Sequence, residues 1–282
     1  MSHHHVEVFQ QAQTPSINVS DRAFAYGDGL FTTAKITNGK VDNLAAHLER
    51  LINGVNTLAI DVDLTGLQQR LEALASGYSL AVLKVLISAG EGGRGYSRVG
   101  CEKGKAVISI HDYPAHYKAW QQHGIRLGIA KTRLGVNPML AGIKHLNRLE
   151  QVMVRRELDA RDEDDLLVSN CLGNIVEVTA GNVFWLPKGN NNHHNATSRE
   201  TWHTPSLGMS GVDGLARQQL IQKLNGSNRY AIEIVEQSTL AANTVESMLV
   251  CNSVLGIAPV YEFSGTALNI TPVSQLQGEF KL

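Results

Sequence analysis

The chain has 282 residues, 43% of them hydrophobic and 18% charged, with a formal net charge of -1. That length and apolar content support one large domain or two medium ones with a buried core, while the charge balance excludes the basic footprint that binding a phosphate backbone requires. Three cysteines, Cys101, Cys171 and Cys251, are too widely spaced for a CxxC redox or zinc pattern, so they read as buried, small apolar residues of a reduced, cytoplasmic protein.

In chain order, the stretch MSHHHVEVFQQAQ holds no apolar run of the signal-peptide kind, and its three histidines read as a flexible terminus rather than a metal site. FTTAKIT has strand character. Leu44, Leu48, Leu51, Ile52, Val55 and Leu58 then recur at helical spacing, as do Leu64, Leu67, Leu71 and Leu74. AVLKVLIS and KAVISIH are further strands; the apolar stretch SLAVLKVLISA is too short to span a membrane and carries Lys84. The segment DYPAHYKAWQQHG, residues 112–124, is the candidate boundary. It separates a small α+β domain, 1–117, from a larger α/β domain, 118–282. The second domain opens with the strand IRLGIAK and continues through a turn at Lys144 into a helix with Leu146, Leu149, Val152 and Met153 on one face. Strands follow at DLLVS, NIVEVT and NVFWL, then a helix after GVDG, then strands AIEIV and SMLVCN. Between them, residues 188–203 form a polar tract that reads as a solvated extension. Its His193 and His194 are adjacent and would point to opposite faces of a strand, so no metal site is expected there. The glycosylation-like triplets at Asn18, Asn195, Asn225 and Asn269 are chance matches without a secretory signal.

Residues with chemical potential are few. GEGGRGYS, residues 90–97, lacks both the Gly-Lys-Ser/Thr ending of a phosphate loop and a dinucleotide fingerprint, so for nucleotides it reads as a glycine-rich turn. Lys144 lies on a turn before a helix, where a surface lysine and a held nucleophile are both open readings. Glu177, inside the apolar strand NIVEVT, shares a face with Ile175 and Thr179; if buried it needs a cationic partner, and the alternative is a strand edge. Arg50 lies off the leucine stripe of its helix, where solvation is the default. GVDGLARQ opens a helix behind glycines, and helix N-termini attract anions. One cofactor would use all four features: pyridoxal phosphate needs a lysine, an acid for its ring nitrogen, and cationic and backbone donors for its phosphate.

LAGIKHLNRLEQV, together with SDRAFAYGDGLFTT, HLERL, GNIVEVTAGNVFW and GVDGLAR, resembles the aminodeoxychorismate lyase branch of the branched-chain-aminotransferase-like pyridoxal phosphate enzymes, fold type IV. The likeness runs from about Asn18 to about Val260 in the family's order. It implies a two-domain α/β subunit of the D-amino-acid/branched-chain aminotransferase architecture, with the cofactor between the lobes and a homodimer as the working form. It assigns the cofactor-linked lysine to Lys144, the ring-nitrogen contact to Glu177, and the phosphate to Arg50, the backbone of Leu215 and Ala216, and the Asn252 side chain. Arg94 is the candidate for a substrate carboxylate, by analogy with a carboxylate-binding loop; its alternative is a turn arginine in water.

The resemblance implies conversion of 4-amino-4-deoxychorismate to 4-aminobenzoate, a folate precursor, and pyruvate. Lys144, displaced by the substrate amine, would take the proton from the carbon bearing that amine. A free lysine has a pKa of about 10.4, so it must be neutral to do so. The rival on the same fold is a branched-chain or D-amino-acid aminotransferase, disfavoured because the Tyr-x-Arg-Pro pattern is missing from LKVLISAGEGGRGYS. Rivals of another class are a non-catalytic anion- or nucleotide-binding module and a scaffold whose polar tract recruits a partner. The polar tract 188–203 departs from the family in its length.

Overall fold

The computed structural model describes residues 3–11, 15–189 and 199–280. The chain divides into two compact units, Met1–Pro114 with Ile143–Arg148, and Ala115–Gly142 with Leu149–Leu282.

In the first unit β1 (His3–Val8), β2 (Gly29–Thr37), β3 (Lys40–Val41), β4 (Leu80–Ser88) and β5 (Lys105–His111) form an antiparallel sheet in the order β1-β5-β4-β2-β3. The helices are α1 (Arg22–Tyr26), α2 (Leu44–Thr57) and α3 (Leu67–Ala75). Strand side chains alternate between faces. Leu30, Ala34 and Ile36 of β2 join Leu83, Val85, Ile87, Ile108 and Ile110 in a core with Leu51 of α2 and with Leu67 and Leu71 of α3. The intervening residues Phe31, Thr33, Lys84, Leu86, Val107 and Ser109 are half-buried on the other face. On α2 the Leu44/Leu48/Leu51/Val55 stripe packs inward as its spacing predicts, but Ile52 is exposed. Gly54 explains the helix's orientation: a Cβ there would collide with the Leu30 side chain, so the glycine face lies against β2. The N-terminal histidines differ from expectation, because His3–Val8 is a strand with Val6 opposite Ser109 and Glu7 opposite Ile108.

In the second unit, β6 (Ile125–Ile129), β7 (Asp165–Ser169), β8 (Ile175–Val178), β9 (Asn182–Pro187), β10 (Glu200–Pro205), β11 (Tyr230–Val235), β12 (Val245–Asn252), β13 (Gly256–Phe263) and β14 (Thr266–Ala267) build one mixed sheet. Its path is β11-β10-β9-β12-β13-β6-β7-β8, with β14 beside β13. The helices are α4 (Tyr117–His123), α5 (Leu149–Leu158), α6 (Leu215–Asn225) and α7 (Thr271–Glu279). Alternate residues of β9 enter two different apolar clusters, Val183 and Trp185 in one, Phe184 and Leu186 in the other. A strand covered on both faces reads as a continuous apolar run, which is why NVFWL and SMLVCN show no alternation.

Four expectations change here. The end of the polar tract is core: Trp202 of β10 is fully buried and Thr204 with it, while residues 190–198, including His193, His194 and Asn195, lie outside the described residues. Helix α5 starts at Leu149, so Leu146 is not part of it, and it buries Val154 and Leu158 instead of the predicted stripe. Leu149 is 73% exposed and Val152 59%, because the helix rests on Leu134, Val168 and Val176 through its opposite side. Of the cysteines only Cys251 is buried; Cys101 is half-buried and Cys171 exposed, and all three are free. Finally, the segment around Lys144 finds its backbone partners in the first unit, rather than in the lobe from residue 118 on where chain order puts it. Among the described residues no helix is long and apolar enough to cross a membrane.

Candidate active site

Lys144 is held by its neighbours in sequence and by the start of β2. The Phe31 N–H donates to the Lys144 carbonyl at 2.9 Å, and the Leu146 N–H donates to the Gly29 carbonyl at 3.0 Å. His145 and Leu30 form an antiparallel bridge. Arg148 reaches back over the turn, its Nε donating to the His145 carbonyl at 2.7 Å and its Nη2 to the Ile143 carbonyl at 2.8 Å. Asn147 donates from Nδ2 to the Gly27 carbonyl at 3.0 Å. Gly27 has a φ of +64°, and a Cβ there would stand 2.7 Å from the Asn147 side-chain oxygen, so glycine suits both the left-handed backbone and the close approach. Each residue of Lys-His-Leu-Asn-Arg thus has a mechanical task. Burial, reinforced by the Arg148 charge, pushes the His145 imidazole down to about 4, so it is neutral beside the lysine. The Lys144 Nζ lies 4.7 Å from the centre of the Phe31 ring.

Arg50 sits on α2, half-buried, one turn after His47. His47 is buried and its Nδ1 lies 2.7 Å from the Thr32 hydroxyl on β2. Burial and then the Arg50 charge lower its pKa to about 4. A neutral imidazole therefore ties the helix to the strand.

Arg94, by contrast, is exposed. Its loop is fastened from beneath by Arg22, a buried side chain that donates to the carbonyls of Gly95 at 3.1 Å, Tyr96 at 3.1 Å and Ser97 at 3.2 Å. Arg22 Nε also binds Asp28 at 2.8 Å, and Asp28 is shared with Arg98, whose Nη1 takes the Leu58 and Ala59 carbonyls at 2.6 and 2.9 Å. Asp21 caps α1 and accepts the Ser88 hydroxyl at 2.6 Å. These acidic and basic residues stand in SDRAFAYGDG, yet composition alone assigns them no task, because their partners lie about 70 positions away: backbone carbonyls for Arg22, the Ser88 hydroxyl for Asp21 and the Arg98 guanidinium for Asp28.

In the second unit, Glu177 lies on β8 and is 6% exposed. β8 ends the sheet path, but the carboxylate is buried rather than turned to water. Its Oε2 accepts the Val212 N–H at 2.9 Å, while the Val212 carbonyl takes Nδ2 of buried Asn182 at 2.9 Å. The peptide units flanking Val212 are thus fastened on both sides, and two residues later Gly214 caps α6. Gly211 has a φ of +87° and a Cβ there would run into Val176, so the segment approaches β8 only because it is glycine. Gly214 offers no side-chain cap, so the first-turn N–H groups, those of Leu215 and Ala216 among them, have no acceptor within the helix. Asn252 ends β12. Its Oδ1 accepts the Val254 and Leu255 N–H groups at 2.9 and 2.7 Å, and its Nδ2 donates to the Ala180 carbonyl at 3.1 Å. The bonds to Val254 and Leu255 shape the β12–β13 turn. Asn182, which the sequence reading passed over as the polar first residue of NVFWL, shapes the anion end of α6.

The residues present suit a phosphate-bearing aromatic aldehyde. A pinned lysine can bond to a carbonyl carbon, a buried carboxylate can hold a protonated ring nitrogen, and an uncapped helix of eleven residues can receive a phosphate.

Residues 29–263 match the amino-transferase class IV family model. The chain is 36% identical over 263 residues to an aminodeoxychorismate lyase of Vibrio harveyi, covering 92% of each chain. Among solved structures it is similar to the 4-amino-4-deoxychorismate lyase of Pseudomonas aeruginosa, with 31% identity, a TM-score of 0.85, and 99% of this chain and 100% of that one covered. A hypothetical aminotransferase of Mycobacterium tuberculosis in its PLP-bound form shares the fold at 18% identity, with a TM-score of 0.79 and 97% and 96% of the two chains covered.

Proposed function

The chain belongs to the class IV aminotransferase family, and from that premise we propose that it is a pyridoxal phosphate-dependent lyase, of fold type IV, that converts 4-amino-4-deoxychorismate to 4-aminobenzoate and pyruvate. The observation that carries this reading is the Lys144 turn, pinned by Phe31, Leu146, Asn147 and Arg148, in a chain 36% identical to a lyase of that name. The product is a precursor of folate.

When bound, the cofactor supplies an electron sink for the charge left as a C–H bond beside an amine breaks. The chain's own residues do the rest. Lys144 Nζ would hold the cofactor by its aldehyde carbon, and as a neutral amine it would take the proton from the substrate carbon that bears the amine. The same nitrogen then delivers a proton to the methylene carbon of the departing enolpyruvyl group. Loss of that group leaves an aromatic ring, which makes the step downhill. Glu177, with Oε2 accepting from Val212, would offer its carboxylate charge to the ring nitrogen and favour its protonated form. Arg50, the N–H groups of Leu215 and Ala216 and the Asn252 side chain would hold the phosphate. Arg94 meets a substrate carboxylate from a loop that Arg22 holds in shape.

The working form is a homodimer, supported by the apolar face that α5 leaves in water, with Leu149, Val152 and nearby Met139 exposed. A reducing, cytoplasmic setting accords with three free cysteines. The test is direct: purified protein is supplied with 4-amino-4-deoxychorismate, and 4-aminobenzoate and pyruvate are followed, with Lys144→Ala alongside. Equimolar products, lost in the variant, are expected. A yellow, cofactor-loaded protein that gives neither product overturns the lyase in favour of an aminotransferase, to be assayed with pairs of amino and 2-oxo acids.

A further inference from the structure

Asp213 stands immediately before Gly214, the residue that opens α6 without a side-chain cap. A carboxylate beside a helix start is drawn to the free N–H groups of the first turn, by hydrogen bonding and by the helix dipole. Here it is turned to side chains instead. Asp213 Oδ1 accepts from Arg217 Nη1 at 2.8 Å, and its Oδ2 accepts from Gln218 Nε2 at 2.8 Å. The main chain of the same segment is fixed independently: Glu177 takes the Val212 N–H, Asn182 donates to the Val212 carbonyl, and the Asp213 N–H donates to the Gly142 carbonyl at 3.1 Å. With the backbone held, rotation of the Asp213 side chain decides whether its charge faces the helix start or Arg217.

Arg217 itself is held at a cost. It is 6% exposed and lies in the first turn of α6, the end of a helix that disfavours a cation. Its Nη2 donates to the Pro205 carbonyl at 2.9 Å, while its Nε, also enclosed, has no hydrogen-bond partner among the described residues. Burial, the dipole and an unmet donor all count against it. Negative charge nearby offsets them. Asp213 gives part of that charge, but its side chain is 39% exposed, so water screens the pair. A phosphate at the same helix start gives more.

We propose that Arg217, with Gln218, is a positioning residue that withholds the Asp213 carboxylate from the start of α6, so that the first-turn N–H groups go to the doubly charged phosphate of the cofactor and not to the chain's own acid. The proposal rests on the reading of this chain as a pyridoxal phosphate enzyme. Without Arg217 the released carboxylate turns to the helix start, where it competes for the N–H groups and repels the phosphate. The effect is specific to the phosphate: a pyridine aldehyde that lacks one neither uses those N–H groups nor meets the repulsion.

The experiment measures cofactor binding by the full chain freed of cofactor, in wild type, Arg217→Gln, Asp213→Asn and the double variant. Arg217→Gln can keep the bond to the Pro205 carbonyl while removing the charge. The probes are pyridoxal phosphate, pyridoxal, which has the same aldehyde and ring nitrogen but no phosphate, and inorganic phosphate as a competitor. Binding is followed by the visible band of the lysine-bound aldehyde. In Arg217→Gln the Kd for pyridoxal phosphate should rise by about tenfold or more, and inorganic phosphate should compete less well, while the Kd for pyridoxal changes little. Asp213→Asn alone should bind pyridoxal phosphate at least as tightly as wild type. Added to Arg217→Gln, it should recover most of the loss, because the released side chain then carries no charge. Should Arg217→Gln fail to fold, Gln218→Ala, which frees Oδ2 alone, should show the same pattern at about threefold. A loss shared equally by pyridoxal phosphate and pyridoxal, a double variant no better than Arg217→Gln, or unchanged binding in a folded Arg217→Gln overturns the positioning role alone. A wild-type chain that gives no visible band with pyridoxal phosphate overturns the positioning role and the lyase reading together.

Discussion

Replacing Asp165 by asparagine should stabilise the second unit at neutral pH and do so much less in acid. Asp165 begins β7 and is fully enclosed; burial raises its carboxyl from 3.8 to about 6, against the opposing effect of hydrogen bonds from Thr179 and Leu166. Those bonds, from the Leu166 N–H at 2.7 Å, the Thr179 N–H at 3.0 Å and the Thr179 hydroxyl, all end on Oδ1. An asparagine oxygen can keep them. Because the folded pKa lies above the unfolded one, the native state retains this proton while the unfolded state loses it. Stability is therefore fully present below about 3.8 and falls as pH rises through about 6. With those two values the penalty is about 1 kcal/mol at pH 4.5 and about 3 kcal/mol at pH 7.5. Asp165→Asn removes the titration, so its stability relative to wild type should improve by about 2 kcal/mol between the two pH values. Urea unfolding followed by tryptophan fluorescence is the assay, since Trp120, Trp185 and Trp202 are the chain's three tryptophans and all lie in the second unit. A difference between variant and wild type that is the same at both pH values refutes the reasoning.

Arg148→Ala removes the two bonds to the carbonyls flanking Lys144; kcat should fall by about a hundredfold as the nucleophile loses its alignment, with the secondary structure, followed by circular dichroism, unchanged. Arg22→Met frees the Gly95, Tyr96 and Ser97 carbonyls, and at roughly 1 kcal/mol per bond the loop should open far more often. Trypsin should then cut after Arg94 markedly faster than in wild type, and equal cleavage rates would remove Arg22 from its clamping role. Charging the exposed face of α5 with Leu149→Asp and Val152→Asp together should leave the fold intact and shift sedimentation from dimer to monomer; a persisting dimer would place the interface elsewhere.

The strands FTTAKIT, AVLKVLIS, KAVISIH, DLLVS and NVFWL and the helices α2 and α3 were legible from the period of their apolar residues, because alternation and helical spacing record locally which side of an element avoids water. The same local record misleads where an element is covered on an unexpected side. Helix α5 shows water the stripe that its spacing assigns to the core, and Trp202 is buried at the end of a tract whose composition is polar. The Lys-His-Leu-Asn-Arg run and the glutamate strand are recognisable as motifs, so the sequence alone points to family, cofactor and reaction.

What the sequence by itself determined is the identity of the reactive groups and the likeness to a family, since both reside in residue types and their order. What only the tertiary structure decided is how those groups are held: Arg148 on two carbonyls, Asn147 against Gly27, Arg22 beneath the 94–97 loop, Asn182 and Glu177 on one peptide segment, and Thr33, Lys84 and Ser109 in one row. Apart from the local bonds of Arg148, these contacts join residues far apart in the chain, through backbone carbonyls and N–H groups and through strand register. A carbonyl is the same atom at every position, and register depends on which strands become neighbours, so neither leaves a signature in the order of side chains.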